Sequence, residues 1–298
     1  MAISRRSITQ ICIISDGKPG HLNQSLGLAE ALQRLDDGVK ISIKPALTRL
    51  QCLKIGLSGC EQKADLLIGA GHRTHWSLLL YKRLTGAPAV VLMKPSLPLS
   101  WFDLCLIPRH DAPVPHPNVI VTEGALNPMQ PGESQQGRAI ILIGGPSKHF
   151  GWNDEQLISQ LTDVVNAGGS WLLTTSRRTP DSFLQTLADA RLKNVEVVPF
   201  ESTGPGWLAE RLSEAPQCWV SGDSVSMVFE ALTAGCAVGI LELPVKSANR
   251  ITRGLQFLID DKKVMPFSDW QPQTGLPLPV APLDEATRCA KLIKEKLL

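Results

Sequence analysis

Short apolar runs alternate with stretches whose apolar residues recur every three or four positions, along nearly the whole chain. The runs at 10–15, 41–46, 65–69, 88–92, 103–107 and 118–122 predict strands, because near-continuous apolar runs suit strands covered on both faces. Helices are expected over 21–35 and 73–84. The first gathers Leu22, Leu26, Ala29 and Leu32 on one side and turns Asn23, Glu30 and Arg34 away. Strands that alternate with helices predict an α/β architecture with mainly parallel sheets.

The alternation lapses over 124–138, which is rich in glycine and proline and reads as a linker. A second series then begins. A strand is expected at 139–143. Asn153 caps the next helix, Gln156 completes a capping box, and Leu157, Ile158, Leu161, Val164 and Val165 share the buried side. After a strand at 171–175, Thr179 suits an N-cap and Pro180 a first helical residue. Further strands fit 195–198, 217–221 and 237–241. Residues 271–282 are proline-rich and extended, and a last helix from about 283 aligns Ala286, Ala290, Ile293 and Leu297. The expected domains are 1–128, a linker over 129–138, and 139–280. A C-terminal helix over 281–298 can pack back on the first domain. The halves echo each other, so two Rossmann-like domains facing a central cleft is the economical architecture.

Composition narrows the class. A length of 298 residues suits two domains of ordinary size, and 43% hydrophobic residues suffice for real cores. A net charge of +2 gives no broad nucleic-acid footprint. The cysteines at 12, 52, 60, 105, 218, 236 and 289 are odd in number and form no C-x-x-C pair, so buried free thiols in a reducing compartment are expected. No stretch approaches the ~20 apolar residues of a membrane span. Ser4-Arg5-Arg6-Ser7-Ile8 faintly resembles a twin-arginine signal, but Thr9 and Gln10 break the apolar stretch behind it. The chain therefore reads as cytoplasmic.

Candidate chemistry collects where strands end and helices begin. Asp16-Gly17-Lys18-Pro19-Gly20-His21 follows the first strand. Free amides at a helix start favour anions, and Asp16 or His21 could act as a general base, with turn and capping roles as the alternatives. Gly69-Ala70-Gly71-His72-Arg73-Thr74 is a similar junction, where His72, and less so His75, could line the same cleft. His110 and His116 lie among prolines and read as surface residues. In the second half, Gly144-Gly145-Pro146-Ser147-Lys148-His149 offers backbone and lysine contacts to phosphate, or a plain turn. Ser176-Arg177-Arg178 ends a strand, where paired guanidiniums suit phosphate or carboxylate, or simply form a surface pair. At 100° per residue, Val225, Val228, Phe229 and Leu232 share one face and Asp223, Ser226 and Glu230 the other. That polar face, with Asp223 or Ser224 as a cap, could hold a diphosphate and accept ribose hydroxyls on Glu230. It could also be a capped, solvated helix face. Neither glycine loop reads G-x-G-x-x-G or G-x-x-x-x-G-K, and G-x-S-x-G and D-x-D are absent. No histidine–carboxylate cluster has metal-ligand spacing, so no metal is expected.

The segments Asp16-Gly-Lys-Pro-Gly-His21-Leu-Asn-Gln24, Gly144-Gly-Pro-Ser-Lys-His149, Thr174-Thr-Ser-Arg-Arg-Thr-Pro180 and Ser221-Gly-Asp-Ser-Val-Ser226 together resemble the mitochondrial-fission "elongated mitochondria" family, whose bacterial members are labelled glycosyltransferases. More distantly, the Gly17–His21 loop and Glu230 with Gly235 resemble the MurG-type N-acetylglucosaminyltransferases, although Lys18-Pro19 and Ser224 depart from that pattern. The resemblance implies a GT-B-like fold and a glycosyltransferase that uses a nucleotide-sugar donor with no cofactor or metal. The donor would lie against Gly144, Gly145, Ser147, Lys148, Ser176, Arg177, Arg178, Asp223, Ser224, Ser226 and Glu230. Asp16 or His21 would deprotonate an acceptor hydroxyl, of a cell-envelope glycan or lipid-linked sugar, near Gly17, Lys18, Gly20, Asn23, Gly71 and His72. A nucleotide-sugar epimerase and a non-catalytic membrane-surface adaptor are the alternatives. The basic last helix (Arg288, Lys291, Lys294, Lys296) either bridges domains or touches anionic lipid at the inner membrane.

Overall fold

The computed structural model describes residues 8–58, 63–132, 138–247 and 250–298. The Ser4–Ser7 segment, Cys60 and part of the 124–138 linker lie outside the described residues. The chain divides into two compact units, Met1–Pro128 with Asp284–Leu298, and Met129–Leu283.

The first unit runs β1 (Gln10–Ser15), α1 (Pro19–Leu35), β2 (Lys40–Pro45), α2 (Arg49–Ser58), β3 (Leu66–Ala70), α3 (His75–Thr85), β4 (Ala89–Leu92), β5 (Leu104–Pro108) and β6 (Val119–Thr122). These strands form one parallel sheet in the order β2-β1-β3-β4-β5-β6. Register pairs Ile13 with Ile43 on one side and Ile68 on the other. Successive side chains alternate between faces. Ile11 and Ile13 therefore pack with Leu28 and Leu32 of α1, while Cys12 and Ile14 pack with Leu78 of α3. Each such buried aliphatic side chain contributes about 1.5–3 kcal/mol. Gly27 brings α1 against the chain, because a Cβ there would collide with the backbone of Asn127. α3 is preceded by a single 3-10 turn at His72–Thr74. α2 falls outside the helices expected from the sequence. Its Leu50 and Leu53 are exposed, so no buried stripe marks it. His116 is exposed as expected, while His110 is half-buried, its side chain 15% exposed and its Nε2 4.0 Å from Asp111.

The second unit comprises β7 (Ala139–Leu142), α4 (Asp154–Asn166), β8 (Trp171–Thr174), α5 (Asp181–Ala190), β9 (Val195–Val198), α6 (Trp207–Glu214), β10 (Gln217–Ser221), α7 (Val225–Ala234), β11 (Ala237–Leu241), α8 (Arg250–Asp260) and β12 (Met265–Pro266). Its parallel sheet has the order β12-β11-β10-β7-β8-β9. Counted from β7, that is the doubly wound order 3-2-1-4-5-6. Ile140 and Leu142 pack with Val228 and Leu232 of α7, while Ile141 and Ile143 pack with Leu157 and Leu161 of α4. Asn153 caps α4 as expected, its Oδ1 accepting from Gln156 N at 3.0 Å. At α5 the expectation shifts by one residue: Pro180 is the N-cap, and the Thr179 hydroxyl instead accepts from Ser176 N at 2.9 Å.

The chain then returns to the first unit as α9 (Glu285–Leu297). Ala286, Cys289, Ala290 and Ile293 join the core layer of α1. Asp284 caps the helix, Glu285 Oε2 accepts from Glu123 N at 2.9 Å, and Arg288 donates to Val121 O at 2.8 Å. Among the described cysteines all thiols are free and all but Cys52 are buried. Burial pushes Cys105, Cys236 and Cys289 up to about 12. Among the described residues no helix is long and apolar enough to cross a membrane.

Candidate functional site

Ligands of open α/β sheets bind beyond the carboxyl ends of the strands, where the strand order reverses. In the first unit that point lies between β1 and β3. The loop after β1 carries Asp16, and the loop after β3 carries Gly71 and His72. The Asp16 side chain has no solvent exposure, while His21 keeps 18%. Asp16 Oδ1 accepts from Lys18 N at 3.2 Å, which closes the turn. His21, on the first turn of α1, sets Nδ1 3.2 and 3.0 Å from the two carboxylate oxygens. Nε2 of His21 takes no hydrogen bond among the described residues. Burial pushes the Asp16 carboxyl up. The Lys18 amide, the His21 hydrogen bond and the charges of His21 and Lys18 outweigh it, and the net is a lowered value. A carboxylate bound to one imidazole nitrogen fixes the tautomer and leaves the other nitrogen for proton transfer.

Gly71 completes this arrangement. Its φ is +85°, and an added Cβ would stand 2.5 Å from Cε1 and Nδ1 of His21. The backbone of the second loop therefore presses on the imidazole face, which only glycine permits. A cavity of about 690 Å³ opens beside Asp16, lined among others by Asp16, Gly17 and His72, whereas His21 and Gly71 stand outside its lining. Lys18, Gly20 and Asn23 are exposed and do not line it.

In the second unit the strand order reverses between β7 and β10. Asp223, buried after β10, ties three segments together there. Its Oδ2 accepts from Gly145 N at 3.0 Å and from Arg178 Nη2 at 2.8 Å, and its Oδ1 accepts from the Ser221 hydroxyl at 2.8 Å. Ser221 Oγ accepts from Gly144 N at 2.7 Å. Arg178 also donates to Gly145 O at 2.8 Å, and Ser176 and Thr179 donate to Gly144 O. A Cβ on Gly144 would collide with the Asp223 carboxylate, and one on Gly145 with Arg178 O. The amides of this glycine loop are thus consumed inside the protein. Ser147 Oγ likewise accepts from His149 N and Phe150 N.

Other groups face outward. Lys148 is exposed, and Arg177 is exposed with its guanidinium 5.7 Å over the Phe200 ring. Ser224 is the N-cap of α7 without a side-chain cap, so the amides of Val225, Ser226 and Met227 take no hydrogen bond among the described residues. Ser226 is exposed, and Glu230 follows one turn later. Glu230 makes no hydrogen bond or ion pair among the described residues, and burial pushes its carboxyl up to about 7. Ser221 and Thr179 in the loop network, and Trp76 and Ser96 in the first unit's cavity, were not among the expected site residues, whereas His75, the weaker candidate beside His72, does line that cavity. Ser221 and Thr179 were legible as hydroxyls that end a strand and precede a proline. Nothing local in the sequence marks Ser96.

The fold is that of the GT-B glycosyltransferases. The UDP-GlcNAc 2-epimerase from Neisseria meningitidis bound to UDP-GlcNAc superposes with a TM-score of 0.55 at 10% identity, covering 97% of this chain and 99% of that one. The glycosyltransferase SnogD from Streptomyces nogalater gives 0.52 at 14% identity, covering 98% and 96%. Medicago truncatula UGT71G1 complexed with UDP-glucose gives 0.51 at 10% identity, covering 96% and 94%. No curated protein matches the sequence. A family model described as "Mitochondrial fission ELM1" matches residues 19–297, a span from the first turn of α1 to the end of α9, and the chain belongs to that family.

Proposed function

We propose that this protein is a glycosyltransferase that takes a nucleotide-sugar donor and transfers its sugar to an acceptor hydroxyl without a metal ion. One observation carries the reading. At the switch point of the second sheet, an uncapped helix start is followed one turn later by Glu230, a carboxylate with no protein partner among the described residues. Free amides and the helix dipole attract a diphosphate, and an unpaired carboxylate suits the two hydroxyls of a ribose. Lys148, Arg177 and Ser226 add outward-facing contacts. Gly144, Gly145, Ser176 and Asp223 act by fixing the loops, because their polar groups are bound to one another, while Arg178 joins them through two of its N–H donors and stays exposed. The fold neighbours complexed with UDP-GlcNAc and UDP-glucose make UDP-sugars the first donors to try.

In this reading His21 Nε2 is the base and Asp16 orients it. The acceptor O–H gives its proton to Nε2, its oxygen bonds to the anomeric carbon, and the bond from that carbon to the diphosphate oxygen breaks. Asp16 holds Nδ1–H and stabilises the imidazolium. The amides of α7 with Arg177 and Lys148 take up the charge on the departing diphosphate. The acceptor class we propose is a cell-envelope glycan or lipid-linked sugar.

Thermal shift with a set of nucleoside diphosphates and their sugars tests the donor site. One base should raise the melting temperature strongly, and Glu230→Ala should abolish the shift. No shift with any nucleotide would leave the non-catalytic adaptor standing. Conversion of a labelled nucleotide sugar with no acceptor present would mark an epimerase instead.

A further inference from the structure

The lining of the cavity beside Asp16 includes Leu47, Leu97, Trp76 and His75. Neither Trp76 nor His75 belongs to the catalytic dyad. His75 is 2% exposed and its ring is held from two sides. Nδ1 lies 3.2 Å from Ser96 Oγ, and the ring meets Phe102 edge to face at 5.4 Å. Nε2 of His75 takes no hydrogen bond among the described residues. Burial first, and the neighbouring His72 second, hold His75 down to about 4, so the imidazole is neutral. Trp76 is 43% exposed and is braced edge to face by Trp101 at 6.3 Å.

A neutral imidazole with one nitrogen on a serine hydroxyl has a free Nε2 that either donates or accepts, depending on the tautomer. A ligand hydroxyl satisfies both cases. A phosphate or carboxylate can only accept, and an ammonium can only donate. The two permanently charged residues of the lining, Asp16 and Arg73, are of opposite sign, and the imidazoles of His72 and His75 are the other titratable groups of the lining. An exposed, braced indole offers a stacking face for a ring.

We propose that the acceptor is an uncharged, hydroxyl-bearing ring compound, held by one hydroxyl on His75 Nε2 and by its ring on Trp76. The inference rests on the transferase reading for the word acceptor, but the ligand class follows from the cavity alone. His75 and Trp76 are binding residues, distinct from the His21–Asp16 dyad.

The test uses the full chain and a panel of 4-nitrophenyl glycosides of glucose, galactose and N-acetylglucosamine, each beside its 6-phosphate. Binding is followed by saturation-transfer NMR, with melting curves to certify each variant as folded. At least one neutral glycoside should bind more tightly than its phosphate. His75→Phe should weaken it about tenfold, while His75→Gln, which restores a neutral hydrogen-bonding group, should recover most of the loss. Trp76→Ala should weaken it comparably and Trp76→Phe much less. Phosphorylated probes binding as well as neutral ones, or no neutral glycoside binding, overturns the inference, whatever the nucleotides do. Neutral glycosides binding as expected, with no nucleotide bound at α7, upholds the ligand class and overturns the transferase reading instead.

Discussion

Replacing Gly71 with alanine tests the dyad geometry on which the proposed base depends. Gly71 sits at φ +85° and ψ 154°, a region essentially confined to glycine that costs another residue about 1–3 kcal/mol. The new Cβ would also stand 2.5 Å from two atoms of the His21 ring and 3.4 Å from Asp16 Oδ2. The imidazole must therefore tilt away from the carboxylate, which it now meets at 3.0 Å. A hydrogen bond to a charged group is worth about 1.5–3 kcal/mol. Together these give a destabilisation of about 2.5–6 kcal/mol, against a total that is commonly about 5–15 kcal/mol. Gly86 supplies the control. Its φ is +72° but nothing lies within 4 Å of an added Cβ, so Gly86→Ala carries backbone strain alone. Urea unfolding should rank Gly71→Ala well below Gly86→Ala, and the His21 ring resonances should shift only in the former. Equal unfolding midpoints with unmoved His21 resonances would refute the argument that Gly71 holds the dyad.

The same reasoning yields further expectations. Glu230 is pushed up to about 7 from the 4.5 of a free glutamate, so the folded state binds an extra proton between those values. Stability should then fall as pH rises from about 4.5 to about 7, by at most about 3 kcal/mol, and Glu230→Gln should lack this slope in urea titrations. Under the donor reading, ribose hydroxyls favour the ionised carboxylate, so UDP-sugar affinity by calorimetry should rise about tenfold from pH 6 to pH 8 and be flat in Glu230→Gln. Asp223→Asn should cost about 1–3 kcal/mol, because the buried Gly145 amide, the Ser221 hydroxyl and Arg178 compete for one remaining carbonyl oxygen; an unchanged unfolding midpoint would count against the loop network. Ile293→Ala, in the core layer shared with α1, should cost about 2–5 kcal/mol, and a neutral effect would mean that α9 is dispensable to the first unit's core.

The two sheets were legible because their strands announce themselves. Ile11 to Ile14 and Ala139 to Leu142 are apolar at every position, and such runs belong between two helical layers. α2, α6, α8 and β12 were not read from the sequence, the first and the last for want of a stripe. α2 exposes Leu50 and Leu53, and β12 has two residues, so neither carries a period long enough to read. Strand order is also invisible to local pattern. Which loops flank a switch point emerges only from tertiary pairing, although both switch points turned out to lie at strand–loop–helix junctions already singled out.

The candidate site divides along the same line. A sequence displays which polar residues stand at strand ends, but not which of them are already spoken for. Gly144 and Gly145 look like a phosphate cradle until their amides are found on Ser221 and Asp223, residues 77 and 78 positions away. Arg177 and Arg178 look interchangeable, yet Arg178 is bound to Asp223 and to Gly145 O while Arg177 rests on Phe200. Glu230 shows the converse: the buried Asp223 just before α7 accepts three hydrogen bonds, and Glu230 is left without a partner among the described residues. A carboxylate carried to about 7 by burial alone costs stability that a purely structural glutamine would not. Such a cost is understandable where a ligand supplies the missing hydrogen bonds, which is why the donor reading rests on Glu230 and not on the glycine loop.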